Sequence, residues 1–205
     1  MRRWGAQMLS RRRQIDNHDA GRAAKVALRR TVLEAIGPTA AVVLDCFAGR
    51  GAMYRAVWCD AARYVGCDTK WTQDERLAYV CDNRRLLRHI DLSPFNVFDL
   101  DAYGSPWEQV TIIAARRPLR AGERIGFVMT DGSVMRARLG RVEGALAGMA
   151  GVRPDTSGVQ RDWETVTAQA VAGLAERMGA AVESLWHADT QKRPILYSAC
   201  VLRAA

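Results

Sequence analysis

The stretch "VVLDCFAGRGAM", Val42–Met53, decides how the rest of the chain is read. An apolar run ends in Asp45, and Gly49-Arg50-Gly51 follows within six residues. A continuous apolar run is the mark of a strand buried on both faces. Glycines at the two turn positions let the backbone bend tightly and come close to a ligand. A helix is expected from near Gly51. In an open α/β sheet, ligands bind beyond the carboxyl ends of the strands, so this turn is a candidate binding loop. It is not a dinucleotide fingerprint, because Tyr54 stands where a third glycine is required, and no phosphate loop of the Gly-x-x-x-x-Gly-Lys type occurs. A Gly-x-Gly alone fits a plain strand-to-helix turn equally well.

The flanking sequence extends the pattern. Residues 21–36 place Leu28, Val32 and Ile36 four apart, one helical stripe, which Gly37-Pro38 ends. "RYVGCD", residues 63–68, "PFNVFDLD", 94–101, and "ERIGFVMTD", 123–131, read as further strands. Residues 160–178 set Trp163, Val166, Ala170, Leu174 and Met178 on one helical face. "AVESLWHA" and "ILYSACVLR" read as two closing strands around the turn "DTQKRP". Residues 133–151 have weak periodicity and receive no assignment. Strands alternating with helices predict an α/β, doubly wound, mostly parallel sheet, with the last two strands as an antiparallel hairpin at one edge. The expected organisation is a basic arm, 1–20, and a single domain, 21–205.

Composition narrows the function. The 205 residues are 49% hydrophobic and 25% charged, as in an ordinary globular protein. No apolar run is long enough for a membrane span, and the N-terminus lacks the apolar centre of a secretory signal, so the cytoplasm is the expected location. Five cysteines form no Cys-x-x-Cys pair, and Cys46, Cys67 and Cys200 lie in strand-like stretches, as reduced buried thiols do. Three scattered histidines predict no metal site. The net charge is +8, and residues 1–30 hold nine basic side chains against two acidic ones. Such an arm is a candidate contact for nucleic-acid phosphates. Trp71, Trp107 and Trp163 are expected in the core or at its rim.

The strand ends carry the chemistry. Asp68, with Thr69 beside it, ends the second strand, where an acid accepts ribose hydroxyls. Asp82 is placed to accept from an adenine amine, and Asn83 to present its backbone amide. A glycine turn, a ribose acceptor and an adenine acceptor, in that order, describe a site for an adenosine with an amino-acid tail. The strand "FNVFDLD" then delivers "AYGSPW", residues 102–107.

Taken together, "VLDCFAGRGAM", "YVGCD", "CDNRRLL" and "FDLDAYGSP" resemble the successive motifs of class I S-adenosylmethionine-dependent methyltransferases. The resemblance is greatest to the catalytic domain of tRNA guanine-26 dimethyltransferases, and "VMTDGSVM", 128–135, looks like that family's Thr-x-Thr-Asp segment. It covers about residues 40–135. Ala102 stands where the family has proline, which leaves the loop less rigid. The resemblance implies S-adenosylmethionine as cofactor, with Asp45 near its amino group, Phe47, Ala48, Gly49 and Gly51 around the methionine end, and Asp68, Thr69, Asp82, Asn83 and Asp99 completing the site. It implies transfer to an exocyclic base nitrogen in RNA or DNA. Asp101 and the Ala102 carbonyl would accept from the amine, Tyr103 would stack on the base, and Gly104 would shape the loop. A methyltransferase acting on a protein or small molecule, and an inert methyltransferase-fold protein that binds nucleic acid, are the alternatives.

Overall fold

The computed structural model describes residues 19–70, 74–133, 141–154, 163–188 and 195–205. Helix α1 (Asp19–Ile36) opens the described chain. Leu28, Val32 and Leu33 are its buried stripe, and Ile36 is half-buried. Gly37, at φ 97°, ends it, donating its N–H back to the Leu33 carbonyl.

The sheet has seven strands. They are β1 (Val42–Asp45), β2 (Arg63–Asp68), β3 (Ala78–Val80), β4 (Val97–Asp101), β5 (Arg124–Asp131), β6 (Ala180–Ala188) and β7 (Leu196–Ala204), in the order β3-β2-β1-β4-β5-β7-β6. Strands β1 to β5 pair in parallel. Strand β7 is antiparallel to both β5 and β6, so it lies inside the sheet and β6 is the edge. The expected doubly wound sheet with its antiparallel C-terminal pair is therefore present. The turn 189–194 lies outside the described residues.

Between the strands run α2 (Ala52–Ala56), α3 (Asn83–His89), α4 (Trp107–Arg116), α5 (Gly144–Ala150) and α6 (Trp163–Arg177). The two faces of the sheet bury separate cores. On one, Phe98 and Phe127 stack at 5.6 Å and pack among Trp107, Leu146, Trp163 and Leu174. On the other, Val43, Val97 and Val128 pack against Leu28 and Val32 of α1 and against Trp58. Burying apolar surface on both faces keeps the parallel strands in register, since a one-residue slip would exchange the two cores. Cys46, Cys67 and Cys200 are buried free thiols, and Trp107 and Trp163 are core residues. Trp71 lies outside the described residues. Among the described residues no helix is long and apolar enough to cross a membrane.

The crossover in strand order falls at β1 and β4, whose carboxyl ends lie side by side: Asp45 is level with Asp99. A sheet of this kind opens its ligand crevice at that point.

Candidate active site

The glycine turn is built as a set of backbone bonds. The Asp45 carboxylate accepts the Phe47 N–H at 3.0 Å and the Tyr64 hydroxyl at 2.9 Å. The Ala48 N–H donates to the Cys67 carbonyl at 3.0 Å, tying the turn to β2. Gly49 and Gly51 adopt φ of 44° and 75°, a left-handed conformation that side chains disfavour. The space over Gly51 is taken by Arg76: a Cβ there would lie 2.8 Å from the Arg76 guanidinium carbon. Arg76 donates to the carbonyls of Ala48 and Gly49, both at 2.9 Å, and to the Asp74 carboxylate. The sequence offered no sign of this clamp, because residue 76 follows a polar stretch without periodicity.

Asp68 ends β2 with one oxygen on the Gly49 N–H, 2.9 Å, and the other on the Lys70 N–H, 3.0 Å. Each carboxylate oxygen has two acceptor sites, so each keeps one free. Thr69 follows, exposed. Asp82 caps α3, accepting the amides of Arg84 and Arg85, and pairs with the Arg84 guanidinium at 2.8 Å. The Arg84 bond and the two amides hold its carboxyl down at about 2. Asn83 does more than present an amide: its side chain donates to the Cys46 carbonyl at 2.9 Å and accepts from Gln109 at 3.0 Å. That fixes the Gln109 amide, and its Oε1 is buried without a hydrogen-bond partner among the described residues. A buried acceptor left unpaired costs about 1–3 kcal/mol.

On the α1 face three carboxylates meet two cations. Arg29 forks onto Asp99, with both bonds 2.6 Å and both side chains about 1% exposed. The Trp58 indole N–H gives Asp99 a third bond, also 2.6 Å. Asp99 was placed with the cofactor residues from sequence; in the fold these donors engage it within the core. Lys25, one helical turn before Arg29, bridges both oxygens of Asp101 at 2.8 Å. Arg29 stands 3.8 Å from Asp101. Burial and the neighbouring Asp99 push Asp45 up to about 8. Burial pushes Asp101 the same way, but Arg29 and Lys25 outweigh it and hold its carboxyl below the usual range. Two of the nine cations counted for the basic arm are thus internal. Their signal was available: Lys25 and Arg29 are four apart, and Arg29 adjoins Leu28 on the buried stripe.

The loop after β4 is fastened to the end of β5. The Gly132 N–H donates to the Gly104 carbonyl at 2.8 Å, and a Cβ on Gly132 would lie 2.8 Å from the Tyr103 carbonyl oxygen. Buried Asp131 accepts from the Trp107 indole at 3.0 Å and from Ser133. Burial raises its pKa, and these bonds offset part of the rise. Ala102 is buried, while Tyr103 is 72% exposed beside it. The structure thus gathers Asp45, Phe47, Ala48, Gly49, Gly51, Asp68, Asn83 and Asp101 at the carboxyl edge of β1, β2 and β4.

No family model and no curated protein matches the chain. Solved structures do. Trm1 of Pyrococcus horikoshii with S-adenosyl-L-methionine is 15% identical, with a TM-score of 0.58, over 90% of this chain and 55% of that one. The N-methyltransferase NodS of Bradyrhizobium japonicum WM9 with S-adenosyl-L-homocysteine is 13% identical, with a TM-score of 0.54, over 92% and 89%. Magnesium protoporphyrin IX methyltransferase of Synechocystis PCC 6803 is 8% identical, with a TM-score of 0.54, over 91% and 84%. The chain spans about half the length of the Trm1 structure. At these identities the likeness is one of fold: the chain has the Rossmann-like fold of class I S-adenosylmethionine-dependent methyltransferases.

Proposed function

We propose that this protein is an S-adenosylmethionine-dependent methyltransferase acting on an exocyclic base nitrogen of a nucleic acid, RNA ahead of DNA. One observation carries the reading: a charged, partly exposed carboxylate, Asp101, ends the strand beside the glycine turn, and exposed Tyr103 follows two residues on. The bound S-adenosyl ligands of Trm1 and NodS support the cofactor.

Bound S-adenosylmethionine supplies a methyl group on a sulfonium. Asp68 and Thr69 would hold the ribose through the free acceptor sites of the carboxylate, and Asp82, Asn83 and Gln109 would meet the adenine. Asp45 and the Phe47–Gly51 turn would hold the amino-acid end, with Asp99 behind them steadying Arg29. Exocyclic base amines are weak nucleophiles because the lone pair is conjugated into the ring. Asp101 and the Ala102 carbonyl accept the amine N–H bonds, which favours a pyramidal nitrogen and stabilises the positive charge it gains. They would hold the amine with its lone pair toward the methyl group; the sulfonium would supply that methyl and keep the carbon–sulfur electron pair, and the extra proton would leave the nitrogen to water. Tyr103 would stack on the unpaired base, and Gly104 keeps the loop against β5. A base inside a duplex must first be flipped out, at about a few kcal/mol.

The basic residues before α1 would hold phosphates. The test is transfer of labelled methyl from S-adenosylmethionine onto total RNA, DNA and protein. Label in nucleic acid, lost in Asp101→Ala while cofactor binding persists, supports the reading. Label only in protein or small molecules, or no label with nucleic acid still bound, overturns it in favour of the other acceptors or of an inert fold. Deleting residues 1–18 should weaken nucleic-acid binding and flatten its salt dependence.

A further inference from the structure

We propose that Lys25 is a positioning residue for methyl transfer: from α1 it holds the Asp101 carboxylate in one orientation and charge state while leaving an edge free for the incoming amine. The inference rests on Asp101 being the amine acceptor.

Three observations carry it. First, the Lys25 ammonium is 2.8 Å from both oxygens of Asp101, a symmetric bridge that fixes the carboxylate plane. A carboxylate has about four acceptor sites, so this bridge leaves room for an amine. The Asp101 side chain is 18% exposed, so part of it is reachable. Second, the pair is not needed to fasten α1 to the sheet. Arg29 and Asp99 already do that from the core, and Arg29 also donates to the Lys25 carbonyl at 2.9 Å, setting where Lys25 stands. Third, the Lys25 side chain is 13% exposed and its ammonium lies 6.0 Å from the centre of the Tyr197 ring on β7. A lysine drawn this far out of water marks a demand for charge at that point.

The demand is chemical. Asp101 has Asp99 two residues before it on its own strand and Arg29 and Lys25 facing it from α1, with Tyr197 of β7 beyond Lys25. A buried carboxyl tends to hold its proton, and a protonated Asp101 would donate to the amine instead of accepting from it. Arg29 and Lys25 together counter that outcome, and Lys25 is the one in contact with the carboxylate. The proton released by the methylated nitrogen goes to water.

The test compares wild type, Lys25→Met and Lys25→Arg. Asp101 is followed by carbon-13 NMR of labelled aspartate, assigned with Asp101→Asn. Lys25→Met should raise the Asp101 titration midpoint by about one pH unit or more, and Lys25→Arg should restore it. Calorimetric affinity for S-adenosylmethionine should be the same in all three. With methyl-accepting RNA, Lys25→Met should lower kcat about tenfold or more near neutral pH, move the acid limb of the rate profile upward and leave KM unchanged. An unmoved midpoint, a faster Lys25→Met enzyme, or loss of cofactor affinity together with activity overturns the proposal. A wild type that labels no nucleic acid, with the midpoint still shifted by Lys25→Met, refutes base methylation and leaves the charge coupling standing.

Discussion

Replacing Arg29 by Met tests the buried ion pair that joins α1 to β4. Wild-type Asp99 accepts two Arg29 bonds and one from Trp58, each 2.6 Å, and Arg29 and Asp99 are both about 1% exposed. Methionine keeps most of the aliphatic stem, so little cavity opens. The main loss is charge balance: Asp99 keeps only the Trp58 bond and stands level with Asp45. Removing one partner of a buried pair costs about 3–5 kcal/mol. For a chain of this size about 1 kcal/mol moves Tm by about 2–4 °C, so a fall of roughly 6–20 °C is expected. Urea unfolding followed by tryptophan fluorescence measures the loss. The double variant Arg29→Met/Asp99→Leu should recover much of the loss, because no buried charge is then left alone. A loss below about 1 kcal/mol, or a double variant no better than the single one, would refute the reasoning.

Gly51→Ala should cost about 1–3 kcal/mol, from the left-handed backbone and the collision with Arg76, and should weaken S-adenosylmethionine binding measured by calorimetry; a neutral effect on both contradicts the role given to the turn. Folding raises the Asp45 pKa to about 8, so the folded chain holds a proton that the unfolded chain has released between about pH 4 and 8. Asp45→Asn should therefore gain on wild type by up to about 1.4 kcal/mol per pH unit through that window, and parallel unfolding free energies would speak against it. Gln109→Leu removes the buried acceptor without a partner among the described residues; it should weaken binding of S-adenosylmethionine at least as much as it changes Tm, and unchanged calorimetric affinity would separate Gln109 from the adenine.

Legibility followed the physics of each element. β1, β4 and β5 were readable because strands buried on both faces must be apolar along their length. β3 was not: it has three residues, and Leu77 before it and Tyr79 and Val80 within it are exposed apolar side chains, so no burial pattern marks it. Helix α4 opens directly after a proline turn, and its first residue, Trp107, is anchored through Asp131, a partner 24 residues away. Helix α5 is mostly glycine and alanine, whose small side chains give little periodicity.

At the site, the sequence by itself determined the glycine turn, the acids at the strand ends and the aromatic residue in the loop after β4. These are local: positive φ requires glycine, and a strand that ends in an acid presents it at the carboxyl edge. Only the tertiary structure decided which charges meet. Lys25 and Asp101 are 76 residues apart, and Arg29 and Asp99 are 70 apart. In the sequence those cations count with a basic arm, and in the fold they neutralise the sheet's own carboxylates. Attraction between charges depends on distance and burial, and neither is set until α1 packs across β4.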